Sequence, residues 1–104
     1  MPATTLNPDI LRKAAARAVS ALKVLANEDR LLVLCQLSQG EMCVSELEER
    51  LDIHQPTLSQ QLGVLRAEGV VNTRREGKQI FYSVADDSLL RVLGALYSVY
   101  CPKR

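Results

Sequence analysis

The spacing of apolar residues predicts an α-rich chain that contains one β-hairpin. From Asn7 onward, apolar residues recur at three- and four-residue steps, the period of a helix, and this first helix is expected to reach Ala26. Asn7 can cap it, and Pro8 suits its first turn. The apolar stripe at this spacing consists of Ile10, Ala14, Ala18, Ala21, Leu22 and Leu25.

Two shorter helices are predicted next. Asn27 to Asp29 form a break and a cap for a second helix, which runs from Arg30 to about Ser38. The third helix has two overlapping capping patterns, one that begins at Cys43 and one that begins at Ser45. A turn over residues 52–54 then leads into a fourth helix.

The fourth helix is predicted from about Gln55 to Ala67. Leu58, Leu62 and Leu65 form its buried stripe. An ordinary solvated helix face usually carries Glu and Lys, but the remaining face here carries amides and hydroxyls and almost no charge. Its side chains left for solvent or a ligand are Gln55, Thr57, Ser59, Gln60 and Gln61.

Residues 70–84 alternate with a period of two and contain a turn at Glu76-Gly77, which predicts a β-hairpin. Its tip is basic, since it carries Arg74, Arg75 and Lys78. The last helix, residues 87–100, is apolar on more than one face. Such a helix needs a second partner, and the same helix of another protomer would supply one.

These elements predict a mainly α fold with a β-hairpin wing, namely a winged helix-turn-helix. The order is four helices, two strands and a fifth helix, in a single domain over residues 1–104. The reading motif is expected at residues 44–67 and the wing at residues 70–84. Hydrophobic residues make up 47% of the chain but only 4% is aromatic, so Leu, Val and Ala must build the core.

The charge pattern favours a local DNA-binding surface. The net charge is only +1, so overall charge cannot attract nucleic acid. A recognition helix needs amides and short polar side chains that reach base edges, and the fourth helix offers them. A solvated hairpin with no ligand is the alternative interpretation of the wing. Between residues 53 and 82 the basic residues are Arg66, Arg74, Arg75 and Lys78, against two acids.

Localisation and redox state follow from what the sequence lacks. No apolar run approaches the roughly 20 residues needed to span a bilayer, and Met1 to Thr5 do not begin a signal peptide. We therefore expect a cytoplasmic protein without a membrane partner. Three cysteines without a Cys-x-x-Cys motif argue against a disulfide framework and a zinc knuckle. Any role of the thiols would use their reduced form.

Three segments give the chain a close resemblance to the ArsR/SmtB family of winged-helix repressors: Leu22–Cys35, Gln55–Arg66 and Thr73–Tyr82. The match extends from Ala18 to Cys101, and within the family the chain looks most like the BigR/SqrR subgroup of dithiol sensors, which includes HlyU-type regulators. The resemblance implies a homodimer joined through the helices at residues 8–26 and 87–100. It also implies a repressor, not an enzyme, that binds an inverted-repeat operator on double-stranded DNA.

The resemblance assigns the reactive thiol pair to Cys35 and Cys101. In that subgroup, reactive sulfur or an oxidant links the two thiols, either directly or through extra sulfur atoms, and releases the operator, and no cofactor is required. Lys103 and Arg104 would favour the thiolate of Cys101. From the residues alone, a cysteine on an apolar stripe such as Cys35 is more often inert packing, because free cysteines are among the most buried residues.

Two other functions remain open at this point. A metal-sensing repressor could use Cys43 with Cys35 or Cys101, but residues 86–104 contain no His and the Cys43-Val-Ser45 sequence lacks a second thiolate. We expect no metal site and interpret His54 as a surface or phosphate-contacting residue. A small thiol oxidoreductase is the third possibility, but no general base accompanies either thiol in sequence.

Overall fold

The computed structural model describes residues 7–102, and this part of the chain forms five helices and a three-stranded sheet. The predicted mainly α winged-helix fold is confirmed. The expectations for Met1 to Thr5 and for Lys103 and Arg104 lie outside the described residues. The elements are α1 (Pro8–Leu25), α2 (Glu28–Leu37), β1 (Met42–Cys43), α3 (Val44–Leu51), α4 (Thr57–Ala67), β2 (Val71–Glu76), β3 (Gln79–Val84) and α5 (Asp87–Tyr100).

Side-chain caps fix where the helices begin. The Asn7 Oδ1 atom accepts a hydrogen bond from the Asp9 amide at 2.9 Å, as predicted for α1. Asn27 caps α2 through the Arg30 amide at 3.0 Å, so α2 starts at Glu28, two residues before the predicted start. The fourth helix begins two residues later than predicted, because Gln55 and the following proline lie in the turn.

The start of α3 uses the first of the two capping patterns. The Cys43 amide donates to a carboxylate oxygen of Glu46 at 3.0 Å, and this hydrogen bond lowers the pKa of Glu46. Met42 and Cys43 also form β1, which the sequence analysis missed because two residues show no alternation. Strand β1 pairs with β3, which pairs with β2, so the strand order is β1-β3-β2.

The core lies between α2, α3, α4 and α5, and the inner face of the sheet covers one side of it. Val71 and Tyr82 are the buried residues that β2 and β3 contribute. Because successive strand residues point to opposite faces, this pairing leaves Asn72 and Arg74 on the outer face. The fully buried side chains are Val33, Leu34, Leu47, Leu58, Leu62, Leu65 and Leu93.

Helix α1 is mostly exposed in the single chain. Its apolar stripe is present, but Ile10 is 67% exposed and Leu22 is 56% exposed. Only Val24 and Leu25, in its last turn, are buried. The radius of gyration is 15.7 Å, compared with about 13 Å for a compact domain of this length. Most of α1 therefore packs against no other element in the described part of the chain. Within residues 7–102, no helix is long and apolar enough to cross a membrane.

Candidate nucleic-acid interface

Helices α3 and α4 and the turn between them form a helix-turn-helix. Asp52 ends α3 in the left-handed region, with a φ of 55°, and its amide donates to the Glu48 carbonyl. The Asp52 carboxylate also contacts the His54 Nε2 atom at 2.9 Å. Three leucines anchor α4 from its inner side, namely Leu58, Leu62 and Leu65. The opposite side of α4 is consequently held toward solvent.

Of the five polar residues predicted for the reading surface, four are exposed and one, Gln61, is half-buried. Thr57, Ser59 and Gln60 are exposed on α4. The Oε1 atom of Gln55 accepts hydrogen bonds from both the amide and the hydroxyl of Ser59, so this side chain supports the start of α4. Gln61 differs from the expectation, because it is half-buried and its Oε1 atom accepts a hydrogen bond from Arg30.

Arg30 connects three helices, and the sequence analysis did not identify it. Its Nε atom donates to the Val24 carbonyl at 2.8 Å and its Nη2 atom to the Lys23 carbonyl at 3.2 Å. Its Nη1 atom donates to Gln61 Oε1 at 3.3 Å. A cation at the C-terminal end of a helix is favourable, which explains its position beside α1. No sequence signal reveals the contact to Gln61, which is 31 residues away.

The wing is the hairpin of β2 and β3, and its two-residue loop is Gly77-Lys78. Gly77 has a φ of 63°, a conformation that glycine adopts without strain. Arg75 and Lys78 are exposed near this loop. In residues 7–102, no carboxylate lies within ion-pair distance of Arg75, Lys78 or Arg66 in α4. These three predicted cations are therefore free to meet phosphates.

Arg74 has a different environment from the other predicted cations. Its guanidinium forms ion pairs with Glu41 and Glu76, and its Cζ atom lies 4.9 Å from the centre of the Phe81 ring. The hydrogen bond from Arg74 lowers the pKa of the Glu41 carboxyl, and the two carboxylates raise the pKa of Arg74. Arg74 thus ties the wing to the residue before β1, whereas Arg75 and Lys78 form no such ion pair within residues 7–102.

The two thiols assigned to the reactive pair lie at the ends of two helices. Cys35 is half-buried near the end of α2, and Cys101 is exposed directly after α5. Burial raises the pKa of Cys35, and the charge of a Cys101 thiolate raises it further. Cys43 is buried, and its Sγ atom lies 3.3 Å from the Ser45 hydroxyl. In the described part of the chain, no three His, Cys, Asp or Glu side chains are grouped as metal ligands.

Comparisons with known proteins agree with this geometry. The family described as bacterial regulatory protein, arsR family, matches residues 27–73. The biofilm growth-associated repressor of Agrobacterium fabrum is 55% identical over 91 residues, which are 88% of this chain and 78% of that protein. The transcriptional activator HlyU of Vibrio cholerae is 41% identical over 96 residues, which are 92% of this chain and 89% of that protein.

The fold is also that of a solved relative. The crystal structure of the transcriptional repressor BigR from Xylella fastidiosa superposes with a TM-score of 0.86 at 43% identity, and the match covers 94% of this chain and all of that one. The relatives are named transcriptional regulators, which confirms the expectation that the chain is not an enzyme. The chain belongs to the arsR family of bacterial regulatory proteins, as a winged-helix, DNA-binding transcriptional regulator of the BigR/HlyU subgroup.

Proposed function

We propose that two copies of this chain join through α1 and α5 and repress transcription by binding an inverted repeat in double-stranded DNA. In this proposal residues 1–104 form one unit, with the reading motif at residues 44–67 and the wing at residues 70–84. The observation that carries it is the exposed, nearly uncharged polar face of α4 beside a wing with unpaired cations. Repression is favoured over activation because the relative of 55% identity is named a repressor.

The dimer is supported by apolar surface that the single chain leaves uncovered. On α1, Ile10 and Leu22 are exposed; on α5, Tyr97 is 60% exposed and Tyr100 is 78% exposed. An apolar stripe at helical spacing is stable in water only when a partner covers it. A two-fold dimer would bring α1 and α5, proposed as dimerisation helices over residues 8–26 and 87–100, against their copies.

DNA binding would divide between base edges and the phosphate backbone. In a helix-turn-helix the second helix enters the major groove, which here is α4 with Thr57, Ser59 and Gln60 outward. The cations that can contact phosphates are Arg66, Arg75 and Lys78. A two-fold dimer presents two copies of this surface, so its matching site is an inverted repeat.

The proposed inducer is an oxidant or a reactive sulfur species that links Cys35 to Cys101. With hydrogen peroxide, the two thiols lose two hydrogens and form a disulfide, while the peroxide is reduced to two waters. With glutathione persulfide, the Cys101 thiolate takes the sulfane sulfur and releases glutathione. Cys35 then attacks the persulfide of Cys101 and displaces hydrogen sulfide, which leaves a disulfide. Attack begins at Cys101 because it is exposed, whereas burial raises the pKa of Cys35 and so disfavours its thiolate.

Helix α2 would transmit the link to the reading surface. Cys35 lies near its C-terminal end, and Arg30 lies near its N-terminal end and contacts Gln61 of α4. A bond from Cys35 to Cys101 would fix α2 against the end of α5. If the bond shifts α2, the contact between Arg30 and Gln61 passes the shift to α4. The relative placement of the two α4 helices in a dimer then changes.

The proposal is tested by fluorescence anisotropy with a DNA duplex taken from upstream of the gene that encodes this chain. Reduced protein is expected to bind this duplex more tightly than a scrambled duplex, and peroxide or glutathione persulfide is expected to weaken that binding. Intact-mass measurement should show Cys35 linked to Cys101 in the released protein. Cys43→Ser serves as the matched control and should still respond.

Three outcomes would contradict parts of the proposal. Equal affinity for the upstream and scrambled duplexes contradicts specific DNA recognition. Unchanged affinity after complete linkage of Cys35 and Cys101 contradicts the thiol switch. Release by Zn²⁺ or Cd²⁺ with no response to oxidants would replace it with metal sensing.

A further inference from the structure

The three glutamines of the reading motif differ in which end of the side-chain amide is free. Gln55 Oε1 accepts from the Ser59 amide at 3.1 Å and also from the Ser59 hydroxyl. A backbone N–H can only donate, so the oxygen of Gln55 must face Ser59. These two bonds occupy both lone pairs of that oxygen. Gln55 therefore has only its NH₂ group left for a ligand.

Gln61 is restricted in the same sense. A guanidinium group can only donate, so the 3.3 Å contact from Arg30 Nη1 identifies the facing atom as the oxygen of Gln61. The side chain is half-buried, and its carbonyl end points toward α2. Gln61 can offer donors outward, but its oxygen is turned away from the exposed side of α4.

Gln60 is the glutamine of the motif with both amide ends free. It is exposed, and its side chain makes no hydrogen bond with any residue between 7 and 102. Its backbone is fixed, since its amide donates to the Pro56 carbonyl at 3.1 Å. At roughly 100° per residue, Gln60 lies about 200° around the helix from Leu58. It therefore points almost directly away from the buried stripe.

Gly63 lies one turn further along the same outward side of α4. A Cβ atom at Gly63 would meet no atom within 4 Å, so no packing contact inside the chain requires a glycine there. Its backbone is ordinary helix. Glycine in a helix interior is less stable than alanine, and close approach of a ligand to the backbone is a common reason for it. The open space beside Gln60 thus suits a surface that comes very near α4.

We infer that Gln60 determines sequence specificity by reading an adenine in the major groove, with Gly63 allowing α4 to approach closely. The inference rests on the proposed DNA-binding function. Adenine presents an N6 donor beside an N7 acceptor, and a glutamine recognises this pair only when its oxygen and its NH₂ group are both free. Gln55 and Gln61 lack a free oxygen on the exposed side, so they contribute donors to phosphates or to base acceptors.

The test begins with selection from a randomised duplex library by the wild-type protein. Affinities for the selected site and for each of its single base-pair variants are then compared among wild type, Gln60→Ala, Gln55→Ala and Gln61→Ala. Wild type should prefer A·T at one position of each half-site by roughly 5- to 150-fold, the value of one bidentate contact. Gln60→Ala should lose that preference at this position alone. Gln39→Ala, an exposed glutamine outside the motif, is the matched control.

A modified base checks the contact directly. Replacing the selected adenine with 7-deazaadenine removes the N7 acceptor and keeps base pairing. This change should weaken binding by wild type and leave Gln60→Ala binding unchanged. Thermal melts followed by circular dichroism establish that each variant is folded.

The outcomes separate this inference from the DNA-binding proposal. If wild type selects a site and Gln60→Ala keeps every base preference, Gln60 is not the reader, although specific DNA binding stands. The same conclusion follows if Gln55→Ala or Gln61→Ala loses the adenine preference instead. If wild type selects no sequence, both proposals fail. Gly63→Ala should melt at a higher temperature yet bind the selected site more weakly, and undiminished affinity would contradict the close approach.

Discussion

The helices at the two ends of the chain contrast with the three helices between them. Leu34, Leu47 and Leu58, from α2, α3 and α4, are fully buried within one chain. Ile10 on α1 and Val99 on α5 are also apolar but are mostly exposed. The contrast shows that a helical apolar stripe indicates that a surface will be covered, but not whether its partner belongs to the same chain.

The largest expected effect on DNA binding comes from a substitution in the exposed end helices. Replacing Tyr97 with Glu places a charge in the proposed interface and should give a monomer in analytical ultracentrifugation. Since a monomer engages one half-site at a time, operator affinity should fall by about a hundredfold or more. Gln39→Glu adds the same charge at an exposed loop position and should leave the dimer intact. A Tyr97→Glu protein that stays dimeric would show that α5 is not the interface.

Arg30 joins the two regions, and its replacement should have the next largest effect. Arg30→Lys keeps the charge but loses the forked geometry that reaches Val24 and Gln61 together. We expect the free energy of unfolding, measured in urea, to drop by about 1–2 kcal/mol. Arg12→Lys, on an exposed position of α1, is the matched control and should change little.

A double-mutant cycle tests whether the contact to Gln61 carries part of that effect. Arg30→Lys and Gln61→Ala should not be additive, because each removes the same hydrogen bond. Full additivity would mean that Arg30 acts only on the end of α1.

Within the reading region, two neighbouring arginines should behave differently toward DNA. Arg75→Gln should reduce the slope of log affinity against log salt by about 1, because one phosphate contact is lost. Arg74→Gln should change that slope much less, since Glu41 and Glu76 already neutralise its charge. Equal changes in slope for the two variants would show that Arg74 leaves its carboxylates when DNA binds.

The smallest expected effect concerns pH and Cys35. Because burial raises the pKa of this thiol, the folded chain retains its proton at pH values where the unfolded chain has lost it. The resulting stability is fully present below the thiol pKa of the unfolded chain and is lost as pH rises through the folded pKa. Urea unfolding between neutral and alkaline pH should therefore show a steeper decline for wild type than for Cys35→Ser. Identical declines would mean that Cys35 is solvated like an unfolded thiol.

Local patterns explain why most of the fold was predictable and some of the site was not. The stripe of Leu58, Leu62 and Leu65 and the alternation in the wing are short-range signals, so periodicity was enough to place them. The contacts from Arg30 to Gln61 and from Arg74 to Glu41 join residues more than 30 positions apart. Long flexible side chains reach such partners only after the helices and strands have packed, and no local pattern encodes that outcome.

The positions of the thiols have a consequence for evolution within the family. In the described chain, the Sγ atoms of Cys35 and Cys101 make no hydrogen bond, and neither residue belongs to the fully buried core. Cys35 packs against the edge of the core, so substitutions of similar size there, and substitutions at the exposed Cys101, leave α3, α4 and the wing in place. Under the proposed thiol switch, a lineage could exchange one inducer chemistry for another at the ends of α2 and α5 and inherit the same DNA-reading surface.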